Sequence, residues 1–299
     1  MRRRDFLAGA AALPAFLRAA PRTSSRARAH AGPRFGYAAI TWGGSDEAAI
    51  DDISSLGYDG VQLRLSAVER WGTRPEALRE LLASRKLTFV ALSSGLLSLD
   101  PAAERDELAA HLRNARFVRD AGGTFLQVID VRPNGRAPTA ADFARMARLL
   151  SALGQRVADL GVTLAYHHHM GALGQAPDEV DAVLSHSDPR YVRLLLDIAH
   201  WRAAGGDPAS ALPRYLDRLA FLHLKDVVIA APDAQGPRHR FVELGRGVVD
   251  VPAVMAALSR MGYDGWGMVE LDAVTAPTLT PRDCAQISKD YLASIGYPI

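Results

Sequence analysis

Eight short β-rich runs, each followed by an amphipathic stretch, recur in order along the chain from Arg34 onward. The runs occupy residues 35–40, 60–65, 88–93, 125–129, 163–167, 192–197, 219–224 and 267–271. Between them apolar residues return at helical spacing, as in 140–160, where Phe143, Met146, Ala147, Leu150, Leu153, Gly154 and Val157 share one face. Strands that alternate with helices build parallel sheets covered on their outer face. Eight such units in 299 residues favour a closed (β/α)8 TIM barrel over a doubly wound sheet, because a barrel takes about 250 residues. The expected fold is a single α/β domain over residues 32–299.

An internal echo points the same way. Gly57-Tyr58-Asp59-Gly60 and Gly262-Tyr263-Asp264-Gly265 each lie between a helical pattern and a strand. The first glycine of each can end its helix in a left-handed conformation, and the second turns the chain into the strand. Such αβ turns belong at the bottom of a barrel, which places the chemistry at the opposite ends of the strands.

Residues 1–31 are of another kind. Arg2, Arg3 and Arg4 precede Asp5-Phe6-Leu7, followed by a weakly apolar stretch and small residues near Ala27-Arg28-Ala29. That order is the order of an export signal, and Arg3-Arg4-Asp5-Phe6-Leu7 resembles the twin-arginine type, whose machinery exports folded protein. A periplasmic or otherwise exported location is therefore expected. Residues 1–31 hold seven arginines and one aspartate, so removing them changes the formal charge from +2 to −4. The basic character belongs to the signal, and nucleic-acid binding is not expected. No apolar run reaches the length of a membrane span. Cys284, the one cysteine, excludes an internal disulfide and reads as a packed helix residue.

Four of the last five strands end in residues able to bind a metal or move a proton. Strand five ends His167-His168-His169, strand six ends Asp197 with His200 three residues on, strand seven ends His223-Leu224-Lys225-Asp226, and strand eight ends Glu270-Leu271-Asp272. Alternation puts His167 and His169 on one face, pairs His223 with Lys225, and groups Glu270 with Met268 and Asp272. One inward imidazole or carboxylate at the end of an apolar strand would be a buried, unpaired polar group costing several kcal/mol. Four at one barrel mouth can share a cation. Two imidazoles and two carboxylates suit Mn²⁺, Co²⁺ or Zn²⁺ better than Ca²⁺. Zn²⁺ would be closed by four protein ligands, whereas Mn²⁺ or Co²⁺ leaves room for substrate oxygens, so these two are favoured. Around this mouth, Trp42 could stack on a sugar face. Gln62 and Arg64 share a face on strand two, Gln127 ends strand four, and 226–250, with Arg238, His239, Arg240 and Glu243, could form a lid. His111 and His186 read as surface helix residues.

The stretches GVTLAYHHHMG (161–171), LLLDIAH (194–200), HLKD (223–226) and GYDGWGMVE (262–270) resemble the xylose-isomerase-like TIM-barrel superfamily of sugar isomerases and epimerases. Within it the chain looks most like the inosose (2-keto-myo-inositol) dehydratases. The resemblance covers residues 36 to 291 and is strongest after 160. It implies that His167, Asp197, His223 and Glu270 are the metal ligands and that His200 reaches the substrate. In the epimerases the strand-five ligand is a glutamate that also serves as one of two opposed bases. Here that position is His167. Loss of the second base favours a one-base elimination: the metal polarises a ketone, a base (Glu270, His169 or His200) removes the α-proton, and a β-substituent leaves with acid help from His200. Lys225 is expected to stabilise the enolate oxygen. The implied substrate is a small keto-sugar, keto-polyol or keto-glycoside. Isomerisation or epimerisation of a free sugar is the alternative, and a non-catalytic sugar-binding barrel is a more distant one. An endonuclease role would need more ligands and a basic groove.

Fractionation of cells that make the full chain is expected to recover it outside the cytoplasm, shortened near residue 29. Full-length protein confined to the cytoplasm would contradict the signal.

Overall fold

The computed structural model describes residues 32–233 and 236–299; the signal segment 1–31 lies outside them. Parallel strands β1 (Arg34–Ala38), β2 (Gly60–Leu63), β3 (Thr88–Leu97), β4 (Phe125–Asp130), β5 (Thr163–His167), β6 (Val192–Asp197) and β7 (Leu219–Leu224) pair in chain order. An antiparallel hairpin, β8 (Asp226–Asp233) and β9 (Gly236–Val242), follows β7. Strand β10 (Trp266–Val269) then pairs with both β7 and β1 and closes an eight-stranded barrel.

The pleat sorts the side chains into two cores. Alternate residues Ala165, Leu195, Phe221, Trp266 and Met268 point into the lumen with Val90 and Ala91 and fill its lower part. Their neighbours, such as Leu164, Leu194, Leu196 and Leu222, point outward and join the helices in the larger core. A one-residue slip of any strand would exchange the two sets, so register is strongly specified. The two echoed turns behave as expected. Gly57 (φ 88°) and Gly262 (φ 65°) stand just beyond helices Asp46–Ser55 and Val251–Arg260.

Three departures from the sequence reading bear on the site. Strand β3 runs to Leu97 rather than stopping at 93, and its end is pinned by His111, which is buried and not a surface residue. On helix Glu104–Asp120, His111 Nε2 donates to the Leu96 carbonyl (3.0 Å), its Nδ1 meets Ser94 Oγ (2.8 Å), and Asn114 Nδ2 donates to Ser94 Oγ (2.9 Å). Secondly, β10 stops at Val269, so Glu270 is the first residue beyond its strand. Thirdly, the segment after β7 is a paired hairpin rather than an open loop. The β-branched run Val227-Val228-Ile229 lies opposite Phe241, Arg240 and His239.

The turn after the hairpin is gathered by one carboxylate. Buried Asp226 accepts from the backbone N–H groups of Val227 (2.8 Å), Gly245 (3.1 Å), Gly247 (2.9 Å) and Val249 (3.0 Å). Removing it would leave these donors unpaired next to the site. The Asp226→Ala variant is expected to lose about 3 kcal/mol of unfolding free energy, read from urea titration, with the barrel still formed.

Candidate metal centre

Four elements deliver one donor each to the top of the lumen. His167 and Asp197 are the last residues of β5 and β6, His223 is the fifth of β7, and Glu270 follows β10. One ligand atom from each lies within 4.8 Å of the others, and all four residues are buried. Three of the four donors, Asp197, His223 and Glu270, are aimed by a hydrogen bond on the far side. Asp197 Oδ1 caps helix Ile198–Ala203 by accepting from Ala199 N (2.8 Å) and His200 N (2.9 Å), which leaves Oδ2 facing the cluster. His223 Nε2 donates across the lumen to Gln62 Oε1 (2.9 Å), turning Nδ1 to within 3.5 Å of Asp197 Oδ2 and 3.4 Å of Glu270 Oε2.

His167 Nδ1, Asp197 Oδ2 and His223 Nδ1 are buried without a hydrogen-bond partner. Unpaired polar atoms from three separate strands at one point are costly unless a cation satisfies them together. Mixed imidazole and carboxylate donors, three of the four oriented by an outer hydrogen bond, fit a divalent transition-metal ion.

Electrostatics within the protein agree. Burial would lower the His223 imidazole, but the Glu270 and Asp197 charges outweigh it and push it up to about 9. Burial drives His167 well below the usual histidine range, helped by the neighbouring His223 and His169. Asp197 and Glu270, which burial alone would raise, are held below the carboxylate range by His223 and Lys225.

Lys225 is placed differently from the sequence expectation. Fully buried, its Nζ donates to Glu270 Oε1 (2.9 Å) and Asp272 Oδ1 (2.6 Å) and lies 4.2 Å from the centroid of the Phe241 ring. Committed to these partners, it is a positioning residue for Glu270 rather than a donor to a substrate oxygen. The same contact occupies the Glu270 oxygen that is not turned toward His223.

His169 and His200 lie side by side next to the cluster, their ring centroids 3.8 Å apart and their planes tilted by 42°. Their tautomers are set by the two main-chain groups of Met170. His169 Nδ1 faces the Met170 carbonyl (2.7 Å) and must donate to it, leaving Nε2 with a free lone pair. His200 Nδ1 accepts from Met170 N–H (3.2 Å), so its proton sits on Nε2, which points to within 3.8 Å of Asp197 Oδ2. Burial first, then Lys225 and His169, keep His200 neutral. The outward-facing third histidine, His168, accepts from Asp197 N (3.1 Å) and packs on Trp201.

A cavity of ≈ 440 Å³ opens over this cluster, lined by His167, His169, Glu270, Gln127, Arg64 and Asp272 among others. Two of the expected substrate-binding residues, Arg64 and Gln127, therefore face it. Trp42 does not: it is buried against Tyr37 and donates Nε1–H to Asp52 (2.9 Å), because its short 3-10 turn, Ala39–Trp42, folds the ring back into the core. Gln62 is also buried, bonded to Ser93 (2.9 Å), Gln127 and His223, and orients ligands instead of touching solute. Glu243, expected in a lid, is buried and accepts from Thr275 (2.6 Å). The main-chain groups of Met170 have no sequence signal, since backbone groups carry none.

Residues 50–294 match the family described as xylose isomerase-like TIM barrel. An inosose dehydratase of Lacticaseibacillus casei is 29% identical over 300 residues, covering 88% of this chain and 97% of that relative. Among solved structures, an IOLI protein with a bound zinc atom superposes with TM-score 0.72 at 16% identity, covering 88% of this chain and 97% of its own. AsbF of Bacillus anthracis, described as a probable 3-DHS dehydratase, superposes with TM-score 0.72 at 15% identity over 87% of this chain and 98% of its own.

Metal affinity is expected to fall at least about 100-fold in His167→Ala and Glu270→Ala, and about 10- to 100-fold in Gln62→Ala. Elemental analysis after dialysis checks this, and full retention in both ligand variants would overturn the site. Because a cation must displace the His223 proton, apparent affinity should rise about tenfold per pH unit up to about 9 and then level off. Calorimetry in two buffers reads the released proton.

Proposed function

This chain belongs to the xylose isomerase-like TIM-barrel family, and we propose that within it the protein is a metal-dependent carbon–oxygen lyase. Its substrate would be a keto-sugar, keto-inositol or keto-glycoside. The inosose dehydratase relatives support this reading, and one observation carries it. His169 lines the cavity with Nδ1 turned to the Met170 carbonyl, which leaves Nε2 as the nitrogen able to act as a base, and the strand-five position is an imidazole, His167, in the donor cluster.

His167, Asp197, His223 and Glu270 would hold a divalent ion, Mn²⁺ or Co²⁺ by preference, which when bound would supply Lewis-acid polarisation of the ketone. The protein's own groups do the rest. His169 Nε2 lines the cavity and takes the proton from the carbon next to the carbonyl. Glu270 is poorly suited to that task, with one oxygen held by Lys225 and the other turned to His223. The electrons of the broken C–H bond form a carbon–carbon double bond as the β-oxygen departs. His200 Nε2–H, buried and neutral, is the donor for an oxygen drawn into the cluster. Arg64 and Gln127 bind hydroxyl groups across the cavity. An epimerase would need a second base on the other face, and His167 directed into the cluster does not offer one. We place this activity outside the cytoplasm, on the twin-arginine segment at Arg3-Arg4.

Metal-loaded protein incubated in D₂O with 2-keto-myo-inositol and with 3-keto-glucosides is expected to give an unsaturated ketone and a released water or alcohol. A recovered isomer carrying deuterium, with no eliminated product, would overturn the lyase reading in favour of isomerisation. His169→Gln should lower kcat about 10²- to 10⁴-fold while retaining stoichiometric metal.

A further inference from the structure

The cavity is divided across the barrel. The second half of the chain lines it with polar groups alone, His167, His169, Glu270 and Asp272. The first half lines it with both kinds of group: the polar Arg64, Ser66, Glu69, Ser93 and Gln127, and the apolar Ile40, Leu65, Leu96 (near the end of β3) and Ile129. Leu96 is 57% exposed and Leu65 40%, which makes them two of the five large apolar residues left exposed among the described residues. Both line this one cavity. A Cβ on Gly95 would lie 3.9 Å from Leu65 Cδ1, so the two leucines border a common shelf. Gly43, Gly44 and Gly95 add no side chain that would cover it.

The shelf is built rather than frayed. Leu96 is fixed through its own carbonyl by buried His111 (3.0 Å), which is in turn bonded to Ser94 (2.8 Å). A polar network thus holds an apolar side chain out toward the cavity. A keto-polyol, hydroxylated all round, would leave this shelf in water, and the ≈ 440 Å³ volume lies in the range of clefts that hold drug-sized ligands rather than one small ring. Contiguous exposed apolar surface rimmed by polar groups marks a binding site.

We propose that this shelf is a subsite for an apolar aglycone, and that the substrate is a keto-glycoside carrying an alkoxy or aryloxy group at the carbon β to the ketone. The inference rests on the elimination reading above. In the step, the base takes the α-proton, the α-carbon–β-carbon double bond forms, and the bond from the β-carbon to the glycosidic oxygen breaks. That oxygen keeps the electron pair and takes a proton, leaving as an alcohol or phenol. The sugar becomes an unsaturated ketone with no change in overall oxidation state, and no oxidant is required.

Methyl and hexyl 3-keto-β-glucosides test the subsite, because their leaving groups are of similar strength and differ mainly in apolar area. With metal-loaded protein, kcat/KM is expected to favour the hexyl compound about tenfold or more. The Leu65→Asn/Leu96→Asn double variant should collapse that ratio toward one; circular dichroism verifies its fold. Equal values for the two glucosides, or a ratio the variant does not change, would overturn the proposal. Failure to turn over either compound counts against the elimination reading, and the subsite is then read from binding. Calorimetry should still show tighter hexyl binding that the double variant abolishes, and equal affinities or no binding of either would overturn it. A dimer dissolved by the double variant without any change in ligand preference would assign the shelf to contact between copies instead.

Discussion

The hydrogen bond from His223 to Gln62 across the lumen is the interaction on which the rest of the site depends. It joins β7 to β2, strands far apart in the barrel order, above a plug of Phe221, Leu195 and Met268. Gln62 in turn donates to Ser93 and Gln127, so one polar layer ties four strands together directly over the apolar one. A histidine held in this way has one nitrogen committed and the other aimed. Without that commitment the ring could turn, and the buried Asp197 and Glu270 carboxylates would face each other with no oriented nitrogen between them.

Much of this was legible in the sequence because period-two alternation is a strict rule. Once strands ending at His167, Asp197 and near His223 and Glu270 were recognised, the pleat decided which side chains shared the lumen. Residues whose place depends on turns were read less well. Trp42 looked like a sugar platform, but a 3-10 turn carries it into the core. His111 looked like a surface residue because helical spacing says nothing about a strand end that reaches over to meet it. Lys225 was assigned to the correct face, but its partners Asp272 and Phe241 lie 47 and 16 positions along the chain, beyond any local pattern.

Met170 shows how main-chain groups can set the tautomers of neighbouring imidazoles. Its carbonyl accepts from one imidazole while its N–H donates to the next, so two adjacent histidines of the same type present opposite functions, a lone pair on His169 and a proton on His200. No side chain at position 170 is needed for this. Tolerance to substitution there would be a poor guide to the importance of the residue.

Phe241 touches both halves of this arrangement. Its ring lies 4.2 Å from Lys225 Nζ and 4.5 Å, centroid to centroid, from His200, and it reaches them from a hairpin anchored at Asp226. Lifting the hairpin would admit water to a buried ammonium and a buried imidazole at the same moment. Opening of the hairpin and loss of the site's electrostatic order are therefore one cooperative event. The hairpin's packing and the dryness of these two groups are thus coupled in the fold.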